Sequence, residues 1–558
     1  MVGFRQRMER SRSPPIASGI SWQVRSWLVD WSWGGRSSAG VVRAAQAFKR
    51  DGNRDAMVER LLKGASGGHN AERAMQSILP ADVCPTVTIA ESVVEAAALP
   101  KDMFDWLFRS NMPHLRIRLG APASGIADWW TRFKSTTYGR RFCLQHPYLR
   151  DRTAEQLRYT LPLVLHEDAV PISKSKSAMV RSWASVLGLG KETETRFLMC
   201  SHVKDDDVEL SDASWPLVLQ SFVELAEREG TSERWAGVLL FAVGDLDWAC
   251  NTLGLPHYNG VECCFMCKAN CSDRPFNDYS DGKAWCHELR TEAEFQAGLR
   301  APLHPLVQSS FFCRYTYRLD LLHLLDHHGI ASHILANIIH MHVCSADNDI
   351  APGSNQEERL AFINNDIAAF YSAHRVQHRM PALRLSNLTS GGFPELHGPA
   401  IKAANTRSLV PYALALQQRA VRQQGGAINR HALKAIESLS LAYDVMYAAD
   451  FFLTDEEHDR LAGLFRRLGL SYQLLSVLSS DEDILAWKHT PKMHYAVRHL
   501  AQQSRLINPR YVQCYSAEGL VGKIAKVWKS CLDGPYHGGV QHKVFRKYMT
   551  GMYYDFNA

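Results

Sequence analysis

The 558-residue chain holds two separated pairs of soft metal ligands and three isolated carboxylates. Cys264-x-x-Cys267 lies in the middle of the chain, and His494-x4-His499 lies near its end. Two thiolates and two imidazoles complete a tetrahedral set for one structural Zn²⁺. Other readings of these residues stay open. Cys263, Cys271, Cys286 and His287 can supply a local zinc knuckle beside the Cys pair, and free cysteines often simply fill cores. The acids are Asp168, after the apolar run Leu161–Leu165, Asp245, after Trp235–Val243, and Glu518, at the head of an amphipathic stretch. Carboxylates on three separate elements can bind two divalent ions about 3.5–4 Å apart, the arrangement that phosphoryl transfer uses. Hard oxygen ligands suit Mg²⁺ or Mn²⁺. Glu167 and Asp247 are immediate rivals to Asp168 and Asp245, and acids at strand ends also serve as caps or salt-bridge partners.

Those groups must be positioned by an α/β framework. Leu161–Leu165, Arg196–Val203 and Trp235–Val243 read as strands, with a helix-period stretch, Pro216–Arg228, between the last two. Acids at the ends of two strands match the place where open sheets build their sites. From about 275 to 480 the pattern is helical, with Tyr317–His328, Ala331–Val343, Gln356–His374, His431–Phe452 and Asp455–Leu468 as the main segments. Such a length between Asp245 and Glu518 is too great for a loop, so it predicts an inserted helical domain. Ser516–Cys531 reads as an amphipathic helix with Leu520, Val521, Ile524, Val527 and Trp528 on one face and Lys523, Lys526 and Lys529 on another. Those lysines suit either phosphate contact or plain solvation. Upstream, Val41–Phe48, Asp55–Leu62 and Ala71–Leu79 form a helical pattern that fits a DNA-reading helix-turn-helix and equally any small helical domain. The expected organisation is a basic, unstructured arm (1–40), a helical N-terminal region (41–150), a catalytic sheet (155–270), a helical insertion (271–485) and a C-terminal part with the His pair and Glu518 (486–558).

Composition narrows the class. No stretch of about 18 residues is both apolar and uncharged, which argues against a membrane span. Thirteen cysteines without a secretory signal point to reduced thiols, some of them metal ligands. The net charge of +6 is concentrated: residues 1–50 carry nine Lys/Arg against Glu9 and Asp30. Such an arm suits phosphate contact or a nuclear signal, or is a solvated tail. The cluster Trp22, Trp27, Trp31 and Trp33 suits base stacking or, more simply, packing.

Several motifs carry a resemblance. His166-Glu-Asp-Ala-Val-Pro-Ile-Ser-Lys-Ser-Lys-Ser177 resembles the first-aspartate motif of CACTA-type (En/Spm, Plavaka-like) DDE transposases. Gly244-Asp245 with Tyr258-Asn-Gly-Val-Glu-Cys-Cys-Phe-Met-Cys267 is similar to that family's second aspartate and downstream Cys-x-x-Cys. Leu319-Asp320-Leu-Leu-His323 with Gly329-Ile330 resembles its Asp-x-x-His element, and Lys492-Met-His494 with His499-Leu500 its Lys-x-His…His stretch. The order also resembles the Transib/V(D)J recombinase catalytic core. Ala169 stands where that pattern usually has glycine, and Glu518 lacks the aromatic neighbour often found there. The resemblance spans roughly 160–530. It implies an RNase H-like mixed sheet interrupted by the helical insertion, with Asp168, Asp245 and Glu518 holding two catalytic Mg²⁺ or Mn²⁺. It further implies one structural Zn²⁺ on Cys264, Cys267, His494 and His499. The expected activity is metal-dependent DNA cleavage and strand transfer on double-stranded DNA, in the nucleus, by a homodimer or larger assembly. The alternative is a domesticated, inactive, zinc-stabilised DNA- or protein-binding protein. A thiol- or zinc-dependent hydrolase is a third reading. Asp320 and His323 share a helix face on this reading, as a DNA contact or a buried polar pair.

Overall fold

The computed structural model describes residues 21–65, 71–76, 78, 87–88, 96–109, 115–120, 123–204, 208–280, 288–345, 349–482, 484–532 and 540–556. Cys286, His287 and the arm before residue 21 lie outside the described residues. The protein is mixed α/β. Its main sheet contains β1 (Val87–Thr88), β2 (Ala96–Ala97), β3 (Thr160–Pro171), β4 (Ser177–Ser185), β5 (Arg196–Val203), β6 (Ala236–Gly244) and β7 (Tyr317–Leu319). The strand order is β1-β2-β5-β4-β3-β6-β7. The pairs β2/β5 and β4/β5 are antiparallel, while β3/β6 and β6/β7 are parallel. The chain forms two compact units: 1–122 with 168–228 and 516–558, and 123–167 with 229–515. The boundary falls within β3, between Glu167 and Asp168.

In the first unit the helices Trp22–Ser32, Ser38–Arg50, Ala56–Ala65 and Ala71–Gln76 enclose a core of Val24, Leu28, Trp31, Val41, Ala45, Val58, Leu61 and Met75. Ser21 caps the first helix by accepting from the Val24 amide, and Ser37 caps the second through Gly40. An unstructured arm reaching residue 40 was expected, and residues 22–32 correct it. Val24, Leu28 and Trp31 recur at helical spacing and are buried. Trp27 meets Phe48 edge-on, Trp33 meets Tyr548, and Trp31 donates to Ser38 Oγ at 2.8 Å. Three of the four tryptophans therefore pack, and Trp22 alone among them is exposed. The C-terminal helix Tyr515–Cys531 buries Leu520, Val521, Ile524, Val527 and Trp528, as its pattern predicts. Trp528 donates to Ser201 Oγ on β5 (2.7 Å). Lys523 lies over the Trp33 ring, whereas Lys526 and Lys529 are exposed. The strand β4 has no clear sequence signal. Its Arg181 is fully buried, stacked over Trp215 at 3.7 Å and bonded to Ser214, so a core position carries a surface residue type.

In the second unit β6 is buried along its whole length between β3 and β7, which explains its unbroken apolar run. Phe133, Phe142 and Phe241 form an aromatic cluster against it, and Trp130 donates to the Thr160 carbonyl at 2.7 Å. The helices Ile330–Cys344, Gln356–Ala373, Ala403–Gln423, Ala427–Ala448 and Asp455–Asp481 follow, the helical block that the sequence predicts. One segment differs. Tyr317–His328 was expected as a helix but begins as strand β7, paired with β6 through Ala242↔Tyr317, and continues as a π-turn over Leu322–Asp326. The Asp320 carboxylate ends the strand by accepting from the Leu322 and His323 amides. Among the described residues no helix is long and apolar enough to cross a membrane.

Candidate metal centres

Cys264, Cys267, His494 and His499 are all buried in the second unit, with ligand atoms within 4.8 Å of one another. The two Sγ atoms are 3.6 Å apart and the two Nε2 atoms 3.3 Å. Cys264 Sγ is 3.3 Å from His499 Nε2, and Cys267 Sγ is 3.3 Å from His494 Nε2. A tetrahedral ion with Zn–S near 2.3 Å and Zn–N of 2.0–2.1 Å has ligand–ligand edges of about 3.3–3.8 Å. The donors therefore fit such an ion without rearrangement.

The local structure explains the convergence. On an α-helix, positions five apart point about 140° away from each other. Residues Tyr495–Leu500 instead form a π-helical turn, whose i→i+5 bonding stacks such positions. Each imidazole is oriented through its other nitrogen: His494 Nδ1 meets the Phe276 carbonyl at 2.9 Å, and His499 Nδ1 meets Gln502 Oε1 at 3.3 Å. The amides of Met266 and Cys267 point at Cys264 Sγ, and that of Ala269 at Cys267 Sγ, each at 3.4 Å. Arg290 Nε donates to the carbonyls of Cys264 and Cys267, closing the knuckle from outside. The interaction with the Cys264 sulfur lowers the Cys267 thiol pKa against the effect of burial, and burial lowers that of His494. Both shifts favour the forms that ligate a metal. Cys263 and Cys271 take no part in this group: the Cys271 thiol is exposed and bonds to the Gly260 carbonyl at 3.4 Å.

The carboxylates divide between the units. In the first, Asp168 on β3 and Glu518 on the C-terminal helix bring carboxylate oxygens within 4.8 Å, both half-buried. Two oxygens bound to one Mg²⁺ at 2.0–2.1 Å stand about 2.9 Å apart in cis and about 4.2 Å in trans. Two carboxylates this close favour a cation or proton between them.

Asp245 belongs to the second unit, one residue beyond β6. Its Oδ1 accepts from the Trp248 amide at 2.7 Å, and the Tyr317 hydroxyl donates to the carbonyls of Gly244 and Asp245. Gly244 is required here, because a Cβ would stand 2.4 Å from the Trp248 ring. That ring reaches back so that its indole N–H donates to Glu167 Oε2 at 2.9 Å. Strand alternation sends Glu167 to the opposite side of β3 from Asp168, and Glu167 is buried against Trp248. The rival acid is thus a structural residue. Asp247 is exposed and accepts from Asn251.

Asp320, His323 and Cys514 form a further group with ligand atoms within 4.8 Å. Asp320 Oδ2 meets His323 Nδ1 at 2.6 Å, and Oδ1 accepts from the Cys514 amide at 2.7 Å. The i, i+3 pair stands on the turn after β7 and is a buried polar pair tying that turn to the chain before Glu518. Spacing alone had not suggested Lys492 as a neighbour of these acids. Its Nζ donates to the His328 carbonyl at 2.9 Å; burial lowers its pKa, while Asp245, Glu395 and Asp320 pull the other way. Comparison with protein-family models and with curated proteins finds no match.

Proposed function

We propose that the protein is a DDE-type DNA transposase, or derives from one, built on an RNase H-like sheet and acting on double-stranded DNA in the nucleus as a dimer or larger assembly. The observation that carries the reading is the convergence of Cys264 and Cys267 with His494 and His499 across more than two hundred residues, which matches the order the sequence motifs suggest. Zn²⁺ is the ion that the two thiolates and two imidazoles favour, in a closed structural site.

Asp168 lies on β3, and Asp245 follows β6 by one residue. Glu518 joins Asp168 in the first unit. These three carboxylates are the proposed ligands for Mg²⁺ or Mn²⁺. Bound there, such ions would neutralise the scissile phosphate and activate the attacking oxygen. The chain's own part is to hold its carboxylates rigidly: Asp245 through the Trp248 amide, Asp168 through the Ala169 amide at 2.7 Å, and Glu518 on a helix buried along one face. No covalent enzyme intermediate is needed for such a displacement, so catalysis is positioning and charge neutralisation.

The test is nicking of a DNA duplex carrying the sequences that flank the coding region, with Mg²⁺ or Mn²⁺ and with neither. Metal-dependent nicking that disappears in folded Asp168→Ala and Asp245→Ala supports the reading. Nicking that survives both substitutions overturns it. DNA binding without any nicking favours the domesticated, non-catalytic alternative.

A further inference from the structure

In the second unit six side chains form a continuous alternating stack. The Arg407 guanidinium lies over Tyr515 (4.7 Å to the ring centre) and over Tyr447 (4.8 Å). Arg510 lies over the same Tyr447 (5.4 Å) and over Tyr511 (5.0 Å), and Tyr511 stacks on Phe451 at 3.9 Å. The sequence of planes is therefore Tyr515, Arg407, Tyr447, Arg510, Tyr511, Phe451, and all six are half-buried. They come from separate elements: Arg407 from Ala403–Gln423, Tyr447 from Ala427–Ala448, Arg510 and Tyr511 from the turn Pro509–Tyr511.

Each arginine is held by one further contact, Arg407 by the Tyr447 hydroxyl and Arg510 by the Tyr447 carbonyl. A guanidinium has five N–H donors, so most of each cation's edge is left for a ligand. The nearby carboxylates, Asp326 beside Arg407 and Asp450 beside Arg510, each have their hydrogen bonds to other side chains. Asp450 accepts from Arg132 at 2.5 Å, and Asp326 is buried beneath the hydroxyls of Tyr443 and Tyr515. Two flat cations against one ring suit consecutive anionic groups of a polymer better than one small anion. Their planes are already fixed, so little side-chain entropy is lost on binding. The Phe451–Tyr511 end is a flat aromatic platform of the kind on which bases stack.

We propose that this arginine–tyrosine ladder is a binding face for a single-stranded segment of DNA, with Arg407 and Arg510 on the phosphates and the outer face of Phe451 under a base. The proposal rests on the reading of the chain as a DNA-processing protein and names where an unpaired strand is held.

The experiment is equilibrium binding of a labelled oligothymidylate of roughly 20 nucleotides to the full chain, by fluorescence anisotropy across a salt series without added divalent ions. In Arg407→Gln/Arg510→Gln, the loss of two phosphate contacts should flatten the log–log salt slope by about 1.4, at roughly 0.7 per contact for a single strand. Phe451→Leu leaves the charge in place. It should weaken binding between about 5- and 150-fold with the slope unchanged, the range for one base stack. Absence of oligothymidylate binding by the wild type overturns the proposal. So does unchanged binding in Phe451→Leu, which decides alone where the double variant loses its fold. Arginine-dependent binding seen with a duplex only also overturns it. Nicking by the wild type, measured beside the titration, separates the two readings. Strand binding by a wild type that nicks no DNA refutes the catalytic reading and leaves the ladder standing.

Discussion

Replacing His494 with alanine removes one corner of the Cys264–Cys267–His494–His499 tetrahedron and tests whether a single ion joins residues so distant in sequence. Cys267 and His494 are 227 positions apart. Treated as a cross-link, a bridge across a loop of that length lowers the unfolded chain's entropy by about 5 kcal/mol at 25 °C. That is a large share of the 5–15 kcal/mol typical of a folded domain. At roughly 2 °C per kcal/mol for a large domain, the midpoint should fall by about 10 °C. Two buried thiols and a buried imidazole left without their ion add to the loss. The assay is metal content per chain by mass spectrometry, beside thermal unfolding, for wild type, His494→Ala, His499→Ala, Cys264→Ser and Cys271→Ser. Wild type and Cys271→Ser should each hold one zinc and melt together; the other three should lose the ion and melt early. Zinc retained at full occupancy in His494→Ala, with an unshifted midpoint, would refute the long-range site and point to a local cysteine knuckle.

Three further outcomes follow from specific contacts. Burial pushes the Asp326 carboxyl up to about 6, against an unfolded value of about 3.9, even though Tyr443 and Tyr515 donate to it. A group whose folded pKa is raised stabilises fully below the unfolded pKa and loses that contribution as pH rises through the folded one. Asp326→Asn should therefore gain about 3 kcal/mol relative to wild type between pH 4 and pH 7 in denaturant titrations, and a pH-independent difference would contradict this. Gly244→Ala places a Cβ 2.4 Å from the Trp248 ring, so it should cost about 1–3 kcal/mol and move the indole off Glu167, readable as a midpoint drop with altered tryptophan fluorescence. Glu518→Gln relieves the repulsion with Asp168. The metal-free protein should melt higher, while Mn²⁺ affinity by calorimetry falls by about 100-fold or more, since a direct ligand matters more than its supporting residues; unchanged Mn²⁺ binding would remove Glu518 from the site.

The sequence by itself determined the residue types at the candidate metal centres and the periodicities around them. The two ligand pairs, the apolar runs of β3, β5 and β6, the helical block and the buried face of the C-terminal helix were all legible, because each rests on local spacing. It could not decide between Glu167 and Asp168, since that choice depends on which side of β3 Trp248 approaches. Nor could it show that His494 and His499 face one point, because five-residue spacing converges only on a π-turn, and tertiary packing selects that turn over an α-helix. The strand β7 was hidden because three residues carry too little periodicity, and the free edge of β6 made them a strand. The strand β4 was hidden because Arg181 is buried against Trp215, a pairing no local pattern encodes. The trained eye reads chemistry from residue types, but which of them meet is set by contacts between segments hundreds of residues apart, where local propensity has no reach.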